Sequence, residues 1–367
     1  MPIDNKQILI VTSEFPPQPG GIGNHAYQLA LALNQKGFKV KVIADERSLQ
    51  GNEETEFDLT LPFSVIRIQR DRFRLKMYLN RIIKTYKNFS NSSHVIATGK
   101  FSLWNVAFIS LFKKAKTLAV IHGTEVNFKP ILLKKSVNIA LKRMDTIVAV
   151  SNYTKHLVQH LKKAIVVIPN GINCSEWQNS GHSELELKGN PVITTVGRVS
   201  SRKGQLNVIK HLPELLKYYP ELHYHCIGIP SEADHFRTVA ADLNVQSHIT
   251  FHGALEEQQL KQALKHTDIF VMLSSESKTG DVEGFGIAIL EANAIGVPAI
   301  GALNCGIEDA VQTGVSGVLI NSDDSLAFKE ATDAIINAKD MFSKGAVAWA
   351  NQHDWAIVIE RYIALLS

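Results

Sequence analysis

Short apolar runs and amphipathic stretches alternate along this chain of 367 residues, and the alternation stops and restarts once. The first series ends near residue 172, a polar interval follows at 173–190, and a second series begins at Val192. Alternating strands and helices build parallel sheets that are covered by helices. The chain also exceeds the usual size of one hydrophobic core. The pattern therefore predicts an α/β protein of two doubly wound, Rossmann-like domains with a cleft between them.

The predicted domains are residues 1–172 and 173–350, and a C-terminal helix at 351–367 could cross back to the N-terminal domain. Strands are predicted at 7–12, 39–44, 65–68, 94–98, 117–121, 146–150, 165–168, 192–196, 223–227, 249–251, 269–273 and 298–300. Helices are predicted at 23–35, 75–89, 103–113, 131–142, 154–161, 205–217, 231–243, 257–265, 286–294, 325–338 and 355–366. Ligands of such sheets bind beyond the carboxyl ends of the strands.

Charge is distributed unevenly between the two halves. Residues 1–170 hold 25 Lys and Arg against 11 Asp and Glu, a net charge of +14, and the remaining residues hold 14 against 24, a net charge of −10. This split indicates an anionic partner for the basic half. Three scattered cysteines give no disulfide framework, and neither a signal peptide nor eighteen consecutive apolar residues are found. We expect a cytoplasmic protein, with peripheral contact to the inner membrane face as an option.

Two carboxylates flank a glycine-rich entry to an apolar helix in the sequence Glu-Gly-Phe-Gly-Ile-Ala-Ile-Leu-Glu at 283–291. Eight helical steps would advance about 12 Å and return to nearly the same face. Two acceptor-only side chains at that separation suit an elongated ligand with hydroxyl pairs near both ends, such as a nucleotide sugar. Two solvated glutamates on a surface helix give the same pattern, so the neighbouring motifs must decide.

A second motif, Gly-Gly-Ile-Gly at 20–23, follows the first predicted strand and opens a helix. Gly21, Gly23 and Asp45 nearly match a dinucleotide-binding fingerprint. The preceding Phe-Pro-Pro-Gln-Pro at 15–19, however, makes the loop longer than a dinucleotide turn. Bare backbone at a helix N-terminus favours an anion-binding loop, and a plain glycine-rich turn is the alternative.

Two further motifs follow predicted strands, at the sheet edge where functional side chains are displayed. His122 opens the sequence His-Gly-Thr-Glu and could bond a sugar hydroxyl or be a purely structural group. Arg198 and Lys203 lie five positions apart in Gly-Arg-x4-Lys-Gly at 197–204. An Arg fork and a Lys point charge can neutralise a diphosphate, although an exposed basic loop gives the same sequence.

Together these motifs resemble those of the retaining nucleotide-sugar glycosyltransferases of family 4, which have the two-domain GT-B fold. The resemblance covers nearly the whole chain. It rests on Glu-Gly-Phe-Gly-x4-Glu (283–291), Gly-Arg-x4-Lys-Gly (197–204), Gly-Gly-x-Gly (20–23), His-Gly-x-Glu (122–125), Ile-Pro-Asn-Gly-Ile (168–172) and Ala-Asn-Ala-x-Gly-Val-Pro (292–298). The first two motifs, a domain apart from the glycine loop, make the signal specific.

The resemblance implies a donor site in the second domain. Arg198 and Lys203 would hold the diphosphate of the donor, and Glu291 would hold its ribose hydroxyls. Glu283 would hold the donor sugar together with backbone amides, which are those of Gly284, Phe285, Gly286 and Ile287.

The resemblance also implies how the reaction proceeds. Gly20 and Gly21 would approach the phosphate or the acceptor from the first domain, and His122 would lie by the anomeric carbon. The sugar would be transferred with retention, and the leaving diphosphate oxygen would accept the acceptor's proton while Arg198 and Lys203 stabilise its charge. Such enzymes need no bound metal, so no cofactor is expected, although Asp281-Val282-Glu283 superficially resembles a metal-binding pair.

The sequence therefore predicts a retaining transferase that moves a sugar from a nucleotide sugar to a glycan or lipid-linked acceptor. Asp281-Val282 before Glu283 is similar to the GDP-mannose users of the family, and both GDP- and UDP-linked donors stay open. The alternatives are a GT-B nucleotide-sugar epimerase, a nicotinamide-dependent protein built on Gly21, Gly23 and Asp45, and a non-catalytic nucleotide-sugar binding module.

The segment 67–87 carries eight cations and a single acidic residue, Asp71. Its cations are Arg67, Arg70, Arg72, Arg74, Lys76, Arg81, Lys84 and Lys87, and apolar residues lie between them. One interpretation is an interfacial helix against anionic lipid, and the other is a core helix with a solvated basic face. Nucleic acid is not expected as a partner, because no binding module accompanies the charge.

Overall fold

The computed structural model describes residues 6–48, 51–71, 73–179, 185–277 and 279–367. The chain divides into two compact units. The N-terminal half comprises Met1–Gly171 together with Trp355–Ser367, and the C-terminal half comprises Ile172–Asp354. Within the described residues, no helix is both long enough and apolar enough to cross a membrane.

The N-terminal half is built on a seven-stranded parallel sheet, counted over its described residues, with the order β3-β2-β1-β4-β5-β6-β7. The strands are β1 (Gln7–Thr12), β2 (Lys39–Asp45), β3 (Ser64–Ile68), β4 (His94–Thr98), β5 (Lys116–Ile121), β6 (Thr146–Ala149) and β7 (Ile165–Val167). The helices between them are α1 (Gly21–Gln35), α2 (Asn52–Leu59), α3 (Arg74–Phe89), α4 (Lys100–Ile109), α5 (Ile131–Arg143) and α6 (Asn152–Val158).

The C-terminal half is built on a six-stranded parallel sheet, again over the described part of the chain, with the order β10-β9-β8-β11-β12-β13. The strands are β8 (Val192–Val196), β9 (His223–Ile227), β10 (Ile249–Gly253), β11 (Ile269–Met272), β12 (Ala299–Ala302) and β13 (Gly317–Ile320). The helices are α7 (Cys174–Gln178), α8 (Gln205–Leu215), α9 (Ala233–Asp242), α10 (Glu257–Lys265), α11 (Ile287–Ala294), α12 (Ser325–Asn337) and α13 (Lys339–Gln352). The last helix, α14 (Trp355–Leu366), belongs to the N-terminal half.

The inner strands are continuous apolar runs because both faces of each sheet are covered. Ile8–Val11 in β1 and Ile269–Met272 in β11 are buried throughout. A strand that alternated polar and apolar residues would place polar groups against one of the two helix layers. In each sheet the order reverses at the middle, between β1 and β4 in one half and between β8 and β11 in the other. Ligands of open α/β sheets bind at these switch points.

The last helix packs on the first one. The hydroxyl of Tyr362 lies 3.1 Å from Nε2 of His25, and Glu360 pairs with Lys36. At the start of α14, the indole ring of Trp355 lies so close to Gly171 that a Cβ at this glycine would meet it. The glycine of Ile-Pro-Asn-Gly-Ile at 168–172 is therefore explained by packing within this half.

The prediction of two parallel α/β sheets is confirmed, and the predicted strands are all present with ends within two residues. The sequence did not predict α2, α7, α13 or β13. The sequence of α2, Asn-Glu-Glu-Thr-Glu-Phe-Asp-Leu, has no apolar stripe, so it gives no periodic signal. Helix α13 follows α12 directly at Lys339, and no Gly or Pro separates the two.

Candidate active site

The candidate donor site lies in the C-terminal half, beyond the carboxyl ends of β8 and β11. These neighbouring strands lead to opposite edges of their sheet, so their ends define its switch point. The loop 197–204 follows β8, and the segment 273–286 follows β11. Gly204, with φ of +85°, lets the two meet, because a Cβ at this position would overlap the carbonyl group of Leu273.

Two cations of the first loop hold Glu283. Nζ of Lys203 donates to Oε2 of Glu283 at 2.6 Å, and Nη1 of Arg202 donates to the same oxygen at 2.9 Å. Nε of Arg202 also lies 3.1 Å from Oδ2 of Asp281. The two carboxylates that superficially resemble a metal-binding pair therefore share one guanidinium group.

The pKa of Glu283 is set by two opposing effects. Burial raises it, since the side chain is only 12% exposed, while the charges of Lys203 and Arg202 and their hydrogen bonds lower it. The cations prevail, so the pKa lies below the usual value for a glutamate and the group is ionised at neutral pH. An ionised carboxylate only accepts hydrogen bonds, as a ligand rich in hydroxyl donors requires.

Glu291 has a different environment on α11. No described residue hydrogen-bonds its carboxylate. Burial raises its pKa to about 7; the charge of Lys203 opposes this rise, while Glu176 and Glu257 increase it. Lys203 therefore lies within electrostatic reach of both carboxylates of the 283–291 motif.

The predicted helix at 286–294 is present, but helical spacing does not extend back to Glu283. Helix α11 begins at Ile287, and Gly286 precedes it with φ of +97°. The eight-step helical spacing of about 12 Å therefore does not apply to this pair. A non-helical turn at 283–286 carries Glu283, and Gly306 approaches it so closely that a Cβ there would overlap the carbonyl of Gly284. Since the Phe285 side chain is buried, only its backbone could contact a donor.

Arg198 differs from the other cations of this loop because its side chain is exposed and forms no ion pair with a described residue. Its backbone is nevertheless fixed, since Nε2 of Gln205 donates to its carbonyl oxygen at 3.2 Å. The loop 197–204 therefore carries both a cation without an ionic partner among the described residues, Arg198, and a cation that is paired with Glu283, Lys203.

A second polar cluster lies in the N-terminal half, beyond the ends of β4 and β5. Nε2 of His122 lies 2.9 Å from Oγ1 of Thr98, and the backbone N–H of His122 donates to Oε1 of Glu125 at 2.7 Å. The ring of His25 packs edge-on against that of His122, with 4.9 Å between centroids. We call these four residues the histidine cluster.

Burial sets the charge states of the histidine cluster. It lowers the pKa of His122 to about 4, and together with the neighbouring His122 it lowers that of His25 well below the usual value. Burial also raises the pKa of Glu125 to about 7, against the backbone hydrogen bonds it accepts. Both imidazoles are therefore neutral at neutral pH, when each can donate one hydrogen bond and accept another.

The glycine loop opens α1, for which Gly20 is the preceding residue and Gly21 the first. No described heavy atom lies within 4 Å of a Cβ built on Gly21, whereas one on Gly20 would meet the carboxylate of Glu14. The dinucleotide interpretation fails at Asp45. Both of its carboxylate oxygens accept hydrogen bonds from Arg81, with Nε to Oδ1 at 2.6 Å, so this side chain is not available to a ribose.

The segment 67–87 does not form one solvated basic face. Arg67 donates to both carboxylate oxygens of Asp58, at 2.9 and 2.7 Å, and Arg81 is buried against Asp45. Arg72 lies outside the described residues. The remaining cations are exposed at the surface; they are Arg70, Arg74, Lys76, Lys84 and Lys87, of which Lys76 pairs with Asp71.

Three residues of these clusters have no role in the sequence-based prediction: Arg202, Thr98 and His25. Arg202 directly precedes Lys203 in the basic motif, and its pairing with Glu283 requires two loops some 80 positions apart to meet. Thr98 is the last residue of a predicted strand, and this position at a strand end was the sequence feature that could have identified it. His25 follows the glycine loop, but its burial against α14 could not be read from the local sequence.

Two family models match the chain in succession. Residues 19–176 match the model described as "Glycosyltransferase Family 4", and residues 179–348 match the one described as "Glycosyl transferases group 1". The chain is 26% identical to a GDP-mannose-dependent monoacylated alpha-(1-6)-phosphatidylinositol monomannoside mannosyltransferase of Corynebacterium glutamicum, over 99% of this chain and 98% of the relative. It is 25% identical to a GDP-mannose-dependent alpha-(1-6)-phosphatidylinositol monomannoside mannosyltransferase of Mycolicibacterium smegmatis, over 95% and 94%.

Solved structures resemble this one over nearly their whole length. The Anabaena protein Alr3699/HepE in complex with UDP and glucose superimposes with a TM-score of 0.80 at 18% identity, over 98% of this chain and 99% of the other. A glycosyltransferase from Rickettsia africae gives a TM-score of 0.78 at 20% identity, over 99% and 98%. At this level of identity the similarity establishes the fold alone.

Proposed function

Because this chain belongs to the group 1, family 4 glycosyltransferases with the GT-B fold, we propose that it is a mannosyltransferase that uses GDP-mannose and a lipid-linked acceptor. Family membership itself gives the reaction class: a sugar passes with retention from a nucleotide-sugar donor to a glycan or lipid-linked acceptor. The choice of GDP, mannose and a lipid acceptor rests on two relatives that align with this chain over nearly their full length. Both are named as GDP-mannose-dependent mannosyltransferases of a phosphatidylinositol mannoside.

One observation carries the proposed donor site: Glu283, Lys203 and Arg202 form an ion-paired cluster at the switch point of the C-terminal sheet. We assign the donor diphosphate to Arg198 and Lys203. Lys203 can turn from Glu283 to a phosphate oxygen without leaving that carboxylate unpaired, because Arg202 still holds it. Removing the only partner of a buried carboxylate would cost several kcal/mol, so a second cation makes the exchange feasible.

The two carboxylates of the motif are assigned to opposite ends of the donor. Glu283, ionised and beside the N-terminus of α11, would accept hydrogen bonds from hydroxyls of the donor sugar, with help from the backbone amides of Gly284, Phe285, Gly286 and Ile287. Glu291 would accept from the ribose hydroxyls. With a pKa of about 7, it can ionise when such donors approach.

The N-terminal half would supply the acceptor side. In the proposed reaction the bond between the anomeric carbon and the diphosphate oxygen breaks, and a bond from the acceptor oxygen forms on the same face of the sugar. The acceptor proton passes to the departing phosphate oxygen, whose charge Arg198 and Lys203 stabilise. His122, held neutral by burial, would donate a hydrogen bond to the sugar near the anomeric carbon. Gly20 and Gly21 would leave backbone at α1 accessible to a phosphate or the acceptor.

We further propose that the exposed cations of 70–87 bind an anionic membrane surface, where a lipid acceptor resides. Each Lys or Arg near such a surface contributes about 1 kcal/mol, and several together give reversible binding without a membrane-crossing helix. The variant that reverses Arg74, Lys84 and Lys87 to Glu should lose co-sedimentation with phosphatidylglycerol vesicles at low salt. Binding of the wild type to neutral vesicles alone, or at 1 M salt, would contradict this proposal.

The donor proposal is tested by thermal shift with GDP, UDP, ADP and NAD, followed by transfer assays with GDP-mannose and UDP-glucose. A ligand that binds only the folded state raises the melting temperature. GDP should give the largest shift, and labelled mannose should pass from GDP-mannose to phosphatidylinositol mannoside. A larger shift with UDP, and transfer from UDP-glucose alone, would contradict the choice of donor while leaving the reaction class unchanged.

A further inference from the structure

We propose that a slot between α3 and α4 binds the hydrocarbon chain of the acceptor, an inference that rests on the proposed lipid-linked acceptor. The slot is a cavity of about 210 Å³ in the N-terminal half. Apolar and aromatic side chains form most of its wall; they are Tyr78, Ile82, Phe101, Trp104 and Phe108. Arg81 and Asn105 complete the lining.

Three polar atoms of the lining residues are buried and have no partner among the described residues. They are Nη1 of Arg81, Nε1 of Trp104 and Oδ1 of Asn105. Buried polar groups are normally hydrogen-bonded, so these atoms indicate a ligand. Arg81 and Asn105 are themselves more than nine-tenths buried. Because Asp45 already neutralises Arg81, two donors and one acceptor suit a neutral polar group, such as an ester or hydroxyl at the head of a chain, better than a further anion.

The slot adjoins a polar pocket of about 350 Å³ beyond the carboxyl ends of β1 and β2. Arg81 and Phe101 line both spaces, while Glu14 and Arg47 line only the polar one. Cζ of Arg81 lies 4.8 Å from the ring centroid of Phe101 and 5.3 Å from that of Tyr78. A polar pocket and an apolar slot on the two sides of one guanidinium group match a molecule with a sugar headgroup and a hydrocarbon chain.

Exposed apolar side chains border the slot. Phe108, which lines it, is 48% exposed, and Phe112 one turn further on is 63% exposed, with 5.4 Å between their ring centroids. Nζ of Lys113 lies 4.5 Å from the ring centroid of Tyr86 nearby on α3. Apolar groups edged by cations suit a chain that arrives from an anionic lipid surface.

The size of the slot favours one chain. Its volume of about 210 Å³ is many times the roughly 10–15 Å³ that one water molecule requires, so a segment of several atoms fits. A sugar ring in the slot, in addition to the headgroup in the polar pocket, would need more hydrogen-bond partners than the three unpaired polar atoms provide. The occupant we infer is therefore a single alkyl or acyl segment.

The first test compares two acceptors that differ only in their chain, octyl mannoside and methyl mannoside. In the wild type, octyl mannoside should have a KM about tenfold lower. Ile82→Trp fills the slot, and it should raise the KM for octyl mannoside about tenfold while leaving kcat and the reaction of methyl mannoside unchanged. Ile83→Trp is the matched control, because this residue of α3 is exposed and does not line the slot. It should behave as the wild type does.

The second test does not require transfer. A bromine-tipped octyl mannoside, used below its micelle concentration, should quench part of the tryptophan fluorescence, and Trp104→Phe should remove that part. Equal quenching in both proteins, or equal effects of Ile82→Trp and Ile83→Trp on the two mannosides, would overturn the slot. Loss of quenching in Trp104→Phe without transfer to either mannoside would support the slot and count against the proposed mannosyltransferase instead.

Discussion

Two largely buried glutamates, one in each half of the molecule, follow inner strands and differ in charge. Glu283 in the C-terminal half accepts hydrogen bonds from Lys203 and Arg202, and its pKa lies below the usual value. Glu125 in the N-terminal half accepts a backbone hydrogen bond from His122, forms no ion pair with a described residue, and has a pKa raised to about 7.

The difference shows that burial by itself does not decide the charge of a carboxylate. Both side chains are largely removed from solvent, so desolvation raises the pKa of each. Two cations outweigh that penalty at Glu283, and a backbone N–H does not outweigh it at Glu125. The C-terminal half thus maintains charges suited to a diphosphate and hydroxyls, whereas the histidine cluster is made of groups that are neutral or near their titration point.

The largest effect is expected for Lys203→Met, which gives Glu283 an environment closer to that of Glu125. The variant loses a proposed diphosphate ligand and raises the pKa of Glu283, so kcat/KM should fall about 100- to 1,000-fold, the scale for loss of a transition-state charge partner. Initial rates with labelled GDP-mannose measure this. Lys210→Met, at an exposed position of α8, is the control; equal activity of the two variants would refute the assignment of Lys203.

The next effect concerns Glu125 and stability. Its folded-state pKa of about 7 exceeds the usual value of 4.5, so its contribution to stability is complete below pH 4.5 and is lost as the pH rises through 7. At 1.36 kcal/mol per pKa unit, the loss between pH 5 and pH 8 is about 2–3 kcal/mol. Glu125→Gln mimics the protonated form and should flatten this part of the pH profile in urea unfolding. The exposed Glu56→Gln should not, and identical profiles for both variants would contradict the raised pKa.

The third prediction is that Arg198, which has no ionic partner among the described residues, contributes to ligand binding and not to the stability of the free protein. Arg198→Ala should weaken GDP binding by about 1.5–3 kcal/mol, the scale of a charge-assisted hydrogen bond, without changing the melting temperature of the free protein. Arg237→Ala on α9, also exposed, should leave GDP binding unchanged. Titration calorimetry that finds wild-type affinity in Arg198→Ala would exclude Arg198 from the phosphate site.

The smallest effect separates the two carboxylates of the 283–291 motif. Glu291→Gln should weaken even GDP, by about 1 kcal/mol, because ribose is part of that ligand. Glu283→Gln should spare GDP and weaken only GDP-mannose. Since only ionised Glu291 accepts from both ribose hydroxyls, GDP affinity of the wild type should rise between pH 7 and 8.5 relative to that of Glu291→Gln. Equal losses for both ligands in both variants would reject this division of roles.

Much of the fold could be predicted because its signals are local. Apolar runs such as Ile8–Val11 and Ile269–Met272 mark strands of covered parallel sheets, and the family and its reaction class are confirmed by the comparisons. Motif residues could be assigned to strand ends because parallel strands align their carboxyl ends at one sheet edge. The roles of Arg198, Lys203, Glu283, Glu291 and His122 in binding and catalysis stay predictions.

Other features could not be predicted, because the local sequence pattern either indicates a different structure or gives no periodic signal. The helical spacing between Glu283 and Glu291 does not hold, because α11 begins only at Ile287 and Glu283 lies in the preceding non-helical turn. Helix α2 lacks an apolar stripe and gave no signal. Gly21, Gly23 and Asp45 nearly match a dinucleotide fingerprint. The match could not reveal that Arg81, 36 positions from Asp45, donates hydrogen bonds to its carboxylate.

By itself, then, the sequence determined the two α/β halves, their strands and the order of their motifs, since each depends on the periodicity of neighbouring residues. Tertiary structure alone decided which charges meet. Lys203 and Glu283 are 80 positions apart, and His25 and Tyr362 are 337 apart. A pKa depends on burial and on charges within a few ångströms, and both are properties of the folded chain rather than of its local sequence.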